Sequence, residues 1–194
     1  RDQPRSRGLG DVYKRQDVYR LSYVGVPCIR LGYADMNFLL AEAVERGWIT
    51  GSAKQYYEEG IRASFLFVRT TVPAEYNNGV EITDDYITSY LKGEYVAYNT
   101  NGSVTDRLKQ IWMQAFLARY FHMATDDYYE YRRNGYPEFP INPETNLNNA
   151  KDKIPMRYMY PESETNYNKE SLYKALDRQW GGVDDVNSIM WLLK

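Results

Sequence analysis

The sequence is poor in the residues that most often bind metals or carry out catalysis. It contains one cysteine, Cys28, and one histidine, His122. A single cysteine excludes an internal disulfide, and one distant histidine cannot complete the ligand set of a zinc site. The sequence also lacks a G-x-S-x-G elbow, a phosphate-binding glycine loop and an H-E-x-x-H segment. We therefore predict no cofactor, no metal site and no catalytic residue, and we expect a structural role for His122.

Long apolar runs and an excess of basic charge are missing as well. No run approaches the roughly 20 apolar residues of a transmembrane helix, and no signal peptide is visible. The net charge is −2, and acidic and basic residues alternate along the chain. This pattern argues against a nucleic-acid binder, which needs a basic face, and against a polybasic membrane patch.

Adjacent carboxylates occur at Asp84-Asp85 and Asp126-Asp127, each pair just after a threonine. These positions fall in the first turn of a predicted helix, where negative charge offsets the helix dipole. A glycosidase needs two carboxylates that flank a sugar, about 5–10 Å apart, whereas sequence neighbours on a helix point to different faces. No loop with EF-hand spacing is present, so the sequence gives no support for a calcium site. The sequence therefore predicts a protein that is not an enzyme.

Tyrosine is abundant, with 20 residues, in a chain of 15% aromatic content. Tyrosine has an apolar ring and a polar hydroxyl, which suits a carbohydrate-binding or protein-binding surface. The commoner use of such residues is half-buried on helices. In the polar, loop-rich residues 71–103, we select Tyr76, Tyr95 and Tyr98 as candidate ligand contacts.

Apolar periodicity predicts an all-α fold of tetratricopeptide-like helical pairs with long ordered loops. Thr125 is expected to cap the helix over residues 125–133, and Asn134-Gly135 to end it. Gly47 is expected to end the first helix, and Gly181-Gly182 the last. Gly60, inside the second helix, is expected to mark the close approach of a neighbouring helix. Residues 136–168 show no apolar period and are predicted to be a loop. Helices are predicted over residues 33–46, from residue 52 up to Pro73, and over residues 84–91, 103–121, 125–133 and 170–179.

The first sixteen residues, RDQPRSRGLGDVYKRQ, differ in character from the rest. They are basic, contain glycine and proline, and show no apolar period. The segment GLGDVYKRQ resembles a translated sequencing-adapter remnant, so we expect residues 1–16 to be a non-native leader. A native disordered arm is the alternative. Residues 17–194 would then form the C-terminal part of one domain.

Three stretches that follow one another along the chain, at residues 22–64, 111–140 and 154–170, resemble the SusD/RagB family, in particular its SusD-like branch. The three stretches occur in the family's order and are spaced across residues 17–194, which makes the resemblance specific. A Gly-Gly-x-Asp segment at residues 181–184, followed by a tryptophan, also fits. The matching residues are Glu42-Ala43, Gly47-Trp48, Ala53, Tyr56-Tyr57, Gly60-Ile61 and Ala63-Ser64 in the first stretch, Tyr131-Arg132-Arg133 and Gly135-Tyr136-Pro137 in the second, and Ile154-Pro155, Arg157, Tyr160-Pro161, Glu164 and Asn168 in the third.

The resemblance implies a nutrient-binding lipoprotein on the outer face of the bacterial outer membrane. Members of this family cap a SusC-like TonB-dependent transporter and capture glycans or other nutrients without cleaving them. Their N-terminal lipid anchor would lie upstream of this chain, because Cys28 lacks the small-residue motif and the apolar run that precede a lipidated cysteine. The resemblance thus implies a SusC-like partner and a glycan or other nutrient as ligand, and it transfers no ligand-contacting residue.

The residues alone leave a second reading open, a tetratricopeptide-type scaffold that binds a peptide in a helical groove. Further tandem units of about 34 residues upstream would favour it. In either case we expect Arg132, Arg133 and Arg157 to hold loops through carbonyl and carboxylate bonds. Without helical neighbours upstream the chain would expose apolar faces, so we also predict poor solubility for this fragment.

Overall fold

The structure, a computed structural model, describes residues 26–77, 79–120 and 122–193. Within these residues it contains α-helices and two 3₁₀ turns but no β-strand, which confirms the all-α prediction. The predicted leader at residues 1–16 lies outside the described residues. The helices are α1 (Tyr33–Glu45), α2 (Ala53–Thr71), α3 (Asp84–Leu91), α4 (Val104–Arg119), α5 (Ala124–Asn134), α6 (Glu162–Tyr167) and α7 (Lys169–Trp180), and the 3₁₀ turns are Ala74–Tyr76 and Trp191–Leu193.

The described chain forms two compact units, and the boundary between them falls between Tyr128 and Tyr129. The first unit holds α1 to α4 and the start of α5. The second holds the end of α5, α6 and α7. None of the helices in the described residues combines the length and the apolar character needed to cross a membrane.

Helix α1 ends at the predicted glycine. Gly47 adopts φ +72°, a left-handed conformation that glycine reaches without steric cost. Its N–H donates to the Val44 carbonyl, and the Trp48 N–H donates to the Ala43 carbonyl, both at 2.9 Å. These two bonds form a Schellman motif, which satisfies carbonyls that the helix itself leaves open. The turn lets the chain reverse into α2, as the helical-pair prediction requires.

Helix α2 begins as predicted and ends at Thr71, two residues before the predicted limit at Pro73. The Ser52 hydroxyl accepts a hydrogen bond from the Gln55 N–H at 3.3 Å and so caps the helix. The helix continues to Thr71, whose hydroxyl donates to the Phe67 carbonyl at 2.7 Å. It stops because the following Val72 precedes a proline, and that position disfavours helical backbone.

The core of the first unit lies between α1, α2, α3 and α4. Tyr57 is fully buried, and its hydroxyl donates to the Val96 carbonyl at 2.7 Å. At Gly60, α2 approaches α1 so closely that a Cβ would lie 2.8 Å from the Phe38 ring, which confirms the predicted close contact. The buried cluster consists of Phe38, Ala41, Tyr57, Ile61, Ile87, Leu91, Ile111 and Ala115.

Polar pairs join α1 to α4 along their whole length. Residues late in α1 pair with residues early in α4, so the two helices run antiparallel. The pairs lie at the edge of the apolar core, where each acidic side chain of α1 has a donor opposite it. They are Asp35 with Arg119 at 2.6 Å, Glu42 with Trp112 at 3.0 Å, and Glu45 with Arg107 at 2.8 Å.

Helix α4 begins with a capping box. The Ser103 hydroxyl accepts from the Asp106 N–H at 3.1 Å, and the Asp106 carboxylate accepts from the Ser103 N–H at 3.1 Å. Hydrogen bonds from the Ser103 hydroxyl and N–H hold the pKa of the Asp106 carboxyl below its usual value. The predicted start is confirmed, and the helix ends at Arg119, two residues before the predicted end at residue 121.

We expect Ser103→Ala to lower the free energy of unfolding by about 1 kcal/mol, because it removes the hydroxyl that accepts a hydrogen bond from the Asp106 N–H in the first turn of α4. Urea denaturation of the full-length protein measures the change. Ser89→Ala is the matched control, since Ser89 is exposed inside α3, where alanine favours the helix. Equal losses in the two variants would show that the cap is not the cause.

Helix α5 begins one residue earlier than predicted, at Ala124. Thr125 therefore lies within the first turn, and its predicted role as the cap is wrong. Asp126 and Asp127 occupy the first turn, as predicted. After the helix, Gly135 adopts φ +68° and donates its N–H to the Tyr131 carbonyl at 2.7 Å, which confirms the predicted glycine stop.

The second unit contains a helix that the sequence prediction missed. Helix α6 lies inside residues 136–168, which were predicted to be a loop. It has no buried residue, and Tyr167 is 90% exposed, so the segment carries no apolar period. Helix α7 confirms the predicted helix at 170–179, and Gly181 ends it with φ +74°.

Arg157 is buried and holds the end of the chain, as predicted. Its guanidinium donates to the Asp184 carboxylate and to the Asp185 carbonyl. The same group lies 4.0 Å from the centre of the Trp180 ring, a cation–π contact. Arg133 pairs with Glu130 at 2.6 Å on its own helix.

Candidate ligand-binding site

A cavity of about 520 Å³ lies in the first unit, beside the C-terminal half of α2. Its other walls come from the segment between α2 and α3, the start of α3, and the end of α4 with the residues that follow. The volume falls within the roughly 300–1,000 Å³ of small-molecule sites. The aromatic side chains that line it are Phe65, Phe67, Tyr76, Tyr86, Tyr120 and His122.

Local turns place Tyr76 at this cavity. Pro73 cannot continue α2, and the chain folds into the 3₁₀ turn Ala74–Tyr76, in which the Tyr76 N–H donates to the Pro73 carbonyl at 3.0 Å. The Asn77 side chain then accepts from the Gly79 N–H at 3.0 Å. Thr83 caps α3 by accepting from the Tyr86 N–H at 3.0 Å. The segment is thus a series of hydrogen-bonded turns between two helices.

Four of the aromatic side chains around the cavity form two edge-to-face pairs, an arrangement that aromatic quadrupoles favour. Phe65 and Tyr86 lie 5.8 Å apart at 77°, and Phe67 and His122 lie 5.5 Å apart at 89°. Tyr86 is 42% exposed and Tyr120 is 51% exposed, so part of each ring faces solvent. The lining therefore offers fixed aromatic surfaces that a ligand can reach.

Charge at the cavity is low. Arg69 donates to the Asp84 carboxylate at 2.8 Å and to the Ile82 carbonyl at 3.4 Å. Burial lowers the pKa of His122 below its ordinary value of about 6.5, so its imidazole is neutral at pH 7. Glu81 lines the cavity and is exposed. The lining therefore combines aromatic rings with neutral polar groups, among them Thr71 and Asn77.

The three tyrosines selected from the sequence lie in different environments. Tyr76 is half-buried and lines the cavity. Tyr95 is 86% exposed on the loop between α3 and α4. Tyr98, on the same loop, donates its hydroxyl to Glu45 and lies 5.3 Å from the Tyr57 ring. Burial, and then the hydrogen bond to Glu45, raise the pKa of Tyr98. The structure brings Tyr76 to the cavity and holds Tyr98 against the core.

Sequence reasoning did not select the other aromatic residues of the cavity. Phe67, Tyr86 and Tyr120 lie on three different helices or their ends, and only the packing of α2, α3 and α4 brings them together. His122 was assigned a structural role, which its half-buried position and its contact with Phe67 support. The high aromatic content of the sequence indicates a binding surface, but it does not predict which aromatic rings lie close together in the fold.

The described part of the chain gives no indication of a metal centre. Among its residues, no three or more histidine, cysteine, aspartate or glutamate side chains are grouped so that they could hold an ion. Chemically, the cavity is suited to holding a molecule by ring contacts and hydrogen bonds.

Comparison with known proteins gives consistent matches. The SusD-like family described as "Starch-binding associating with outer membrane" matches residues 9–161. No curated protein matches the chain. A SusD homolog from Bacteroides fragilis is 47% identical, with a TM-score of 0.81 over 88% of this chain and 36% of that one.

Two further solved structures extend the comparison. A second SusD homolog from Bacteroides fragilis is 36% identical, with a TM-score of 0.77 over 87% of this chain and 35% of that one. A chitin-binding protein is 26% identical, with a TM-score of 0.65 over 84% of this chain and 32% of that one. The chain therefore spans about a third of the length of these relatives.

Proposed function

The chain belongs to the SusD-like family of starch-binding proteins that associate with the outer membrane, and on that basis we propose that it binds a glycan or other nutrient at the cell surface. In this proposal the full-length protein is held by an N-terminal lipid anchor and faces outward. It passes its ligand to a SusC-like TonB-dependent transporter. It captures the ligand without cleaving it.

The observation that supports a binding role is the aromatic cavity in the first unit. A pyranose ring has a face of C–H groups that packs on an aromatic ring, and hydroxyls that both donate and accept hydrogen bonds. The cavity supplies rings at Tyr76, Tyr86 and Tyr120 and polar partners at Thr71 and Asn77. The similarity to a chitin-binding protein supports a carbohydrate as the ligand. We propose Tyr76 as a ligand contact.

Tyr76→Ala is expected to weaken glycan binding by the full-length protein about tenfold, because it removes a ring from the lining. Titration calorimetry against a panel of oligosaccharides that includes maltohexaose and chitohexaose measures the affinity. Tyr76→Phe keeps the ring and should retain most of it. Unchanged affinity in Tyr76→Ala would remove Tyr76 from the site.

The same titration tests the other two predicted tyrosines. Tyr95→Ala changes an exposed side chain away from the cavity lining, so a loss of affinity there would place the ligand on the loop between α3 and α4. Tyr98→Phe removes only the hydroxyl that bonds to Glu45. A loss of affinity in this variant without a loss of stability would give Tyr98 a role in binding.

The absence of cleavage is tested directly on the products. The full-length protein is incubated with each oligosaccharide that it binds, and the mixture is separated by chromatography. We expect the oligosaccharide to be recovered intact. Release of shorter sugars by the purified protein would replace the binding role with an enzymatic one.

A further inference from the structure

The single cation that lines the cavity, among the described residues, already has a partner. Arg69 donates to Asp84 at 2.8 Å and to the Ile82 carbonyl at 3.4 Å. Binding of an anionic sugar usually relies on a guanidinium or ammonium group that pairs with the carboxylate or sulfate. Here Asp84 already balances the charge of Arg69, so an anionic sugar that approached this guanidinium would also meet a carboxylate.

The rim of the cavity adds negative charge. The segment from residue 72 to residue 86 contains four carboxylates and no lysine or arginine. These carboxylates belong to Glu75, Glu81, Asp84 and Asp85, which are all exposed, and the charge of Asp84 is the one that Arg69 balances. Glu81 itself lines the cavity. Surface charges of one sign around a concave site repel ligands of the same sign and lower their local concentration.

The remaining polar groups of the lining are neutral and can serve an uncharged ligand. The Thr71 hydroxyl oxygen can accept a hydrogen bond, the Asn77 side-chain amide can donate one, and the tyrosines offer rings with hydroxyl tips. The buried imidazole of His122 is neutral at pH 7, because burial lowers its pKa. These groups match the hydroxyls and C–H faces of a neutral pyranose, and none of them balances an anionic charge.

From this arrangement we propose that the cavity selects uncharged glycans and rejects those that carry carboxylate or sulfate groups. The inference rests on the proposed function and narrows its ligand class. Arg69, neutralised by Asp84, and the acidic rim set the selectivity. Tyr76 and the other rings supply the contact that all pyranoses share.

The test compares sugars that differ in charge on the same backbone. Maltohexaose, chitohexaose and cellohexaose are titrated into the full-length protein, together with maltohexaose and cellohexaose oxidised to carboxylates at C6, the methyl esters of those oxidised forms, and hexagalacturonic acid. We expect a neutral sugar to bind, its oxidised form to bind at least about tenfold more weakly, and the ester to recover affinity. Recovery by the ester separates charge from shape.

A pair of variants locates the selectivity. Asp84→Asn leaves Arg69 without its carboxylate, so oxidised sugars should gain affinity relative to neutral ones. We expect the ratio of oxidised-sugar affinity to neutral-sugar affinity to rise about fivefold at low salt, which is the effect of roughly one charge near a surface. The rise should be smaller at 0.5 M salt, because salt screens the charge. Asp85→Asn is the matched control, because it removes the neighbouring charge of the same helix turn but no partner of Arg69. In Asp85→Asn the ratio of oxidised-sugar affinity to neutral-sugar affinity should rise less than in Asp84→Asn.

The outcomes distinguish the inference from the function on which it rests. If a carboxylated sugar binds as tightly as its ester, or more tightly, the selectivity is overturned while the binding function stands. If no sugar of either charge binds, the proposed function fails and the selectivity fails with it. An equal rise in the two variants would show that Arg69 has no part in the discrimination.

Discussion

Replacing Arg119 by alanine is expected to lower the free energy of unfolding by about 3–5 kcal/mol, the largest effect that we predict for a single substitution. The Arg119 guanidinium donates to Asp35 at 2.6 Å, and both side chains are less than a tenth exposed. The Nη1 atom of the same guanidinium lies 4.0 Å from Oδ1 of Asp127. Removal of the cation leaves the buried Asp35 carboxylate without its charge partner, and water cannot replace the lost interaction.

Arg69→Ala is the matched control for this prediction. Arg69 makes a pair of similar geometry with Asp84, at 2.8 Å, but its side chain is 39% exposed and that of Asp84 is 86% exposed. Exposed pairs contribute about 0–1 kcal/mol, because water and salt screen them. Urea denaturation of the full-length protein, followed by tryptophan fluorescence, gives both values. Similar losses in the two variants would contradict the assignment of the effect to burial.

A second variant tests whether the two buried groups act together. Asp35→Asn alone leaves the Arg119 cation without its carboxylate and should also destabilise the protein. In the Arg119→Ala background the same change removes an unpaired charge and should cost much less. The difference between the two backgrounds measures the coupling. Additive losses would mean that Asp35 and Arg119 contribute independently.

The helices whose apolar side chains face the core were predicted from the sequence to within a few residues. Helix α2 shows why, since Tyr57 and Ile61 recur at helical spacing and both are buried. Helix α6 shows the limit of the method, because it begins after Pro161, buries nothing and so leaves no period to detect. The apolar face of α4 likewise predicted its start at Ser103, where the structure shows a capping box formed by neighbours in sequence.

Contacts between segments that are far apart in the chain could not be predicted from the sequence. Arg119 lies on the buried face of α4, but nothing near it in sequence names Asp35 as its partner, which is 84 positions away. The cavity poses the same difficulty. Tyr76 was selected because it lies in a polar insertion, whereas Tyr86 and Tyr120 became candidates only when helix packing placed them at the same cavity. Pairings of this kind depend on the tertiary fold.

Gly60→Ala is expected to lower the free energy of unfolding by about 1–3 kcal/mol, although alanine is the better helix former. Gly60 is buried in α2, and a Cβ there would lie 2.8 Å from Cε1 and 2.9 Å from Cζ of Phe38. The Phe38 ring is 2% exposed and packs edge-on against Tyr57, so it has little room to move. At an open helical position the same change would stabilise the protein by about 1 kcal/mol.

A double-mutant cycle with Phe38→Leu identifies the clash as the cause. Leucine has no ring atoms at the positions that the new Cβ would approach, so Gly60→Ala should cost little or even stabilise the protein in the Phe38→Leu background. The coupling between the two changes should then be about 1 kcal/mol or more, because the residues are in contact. Urea denaturation of the four proteins gives this value. A cost that is the same in both backgrounds would place the strain elsewhere in α2 and would remove the close approach of α1 as the reason for glycine at this position.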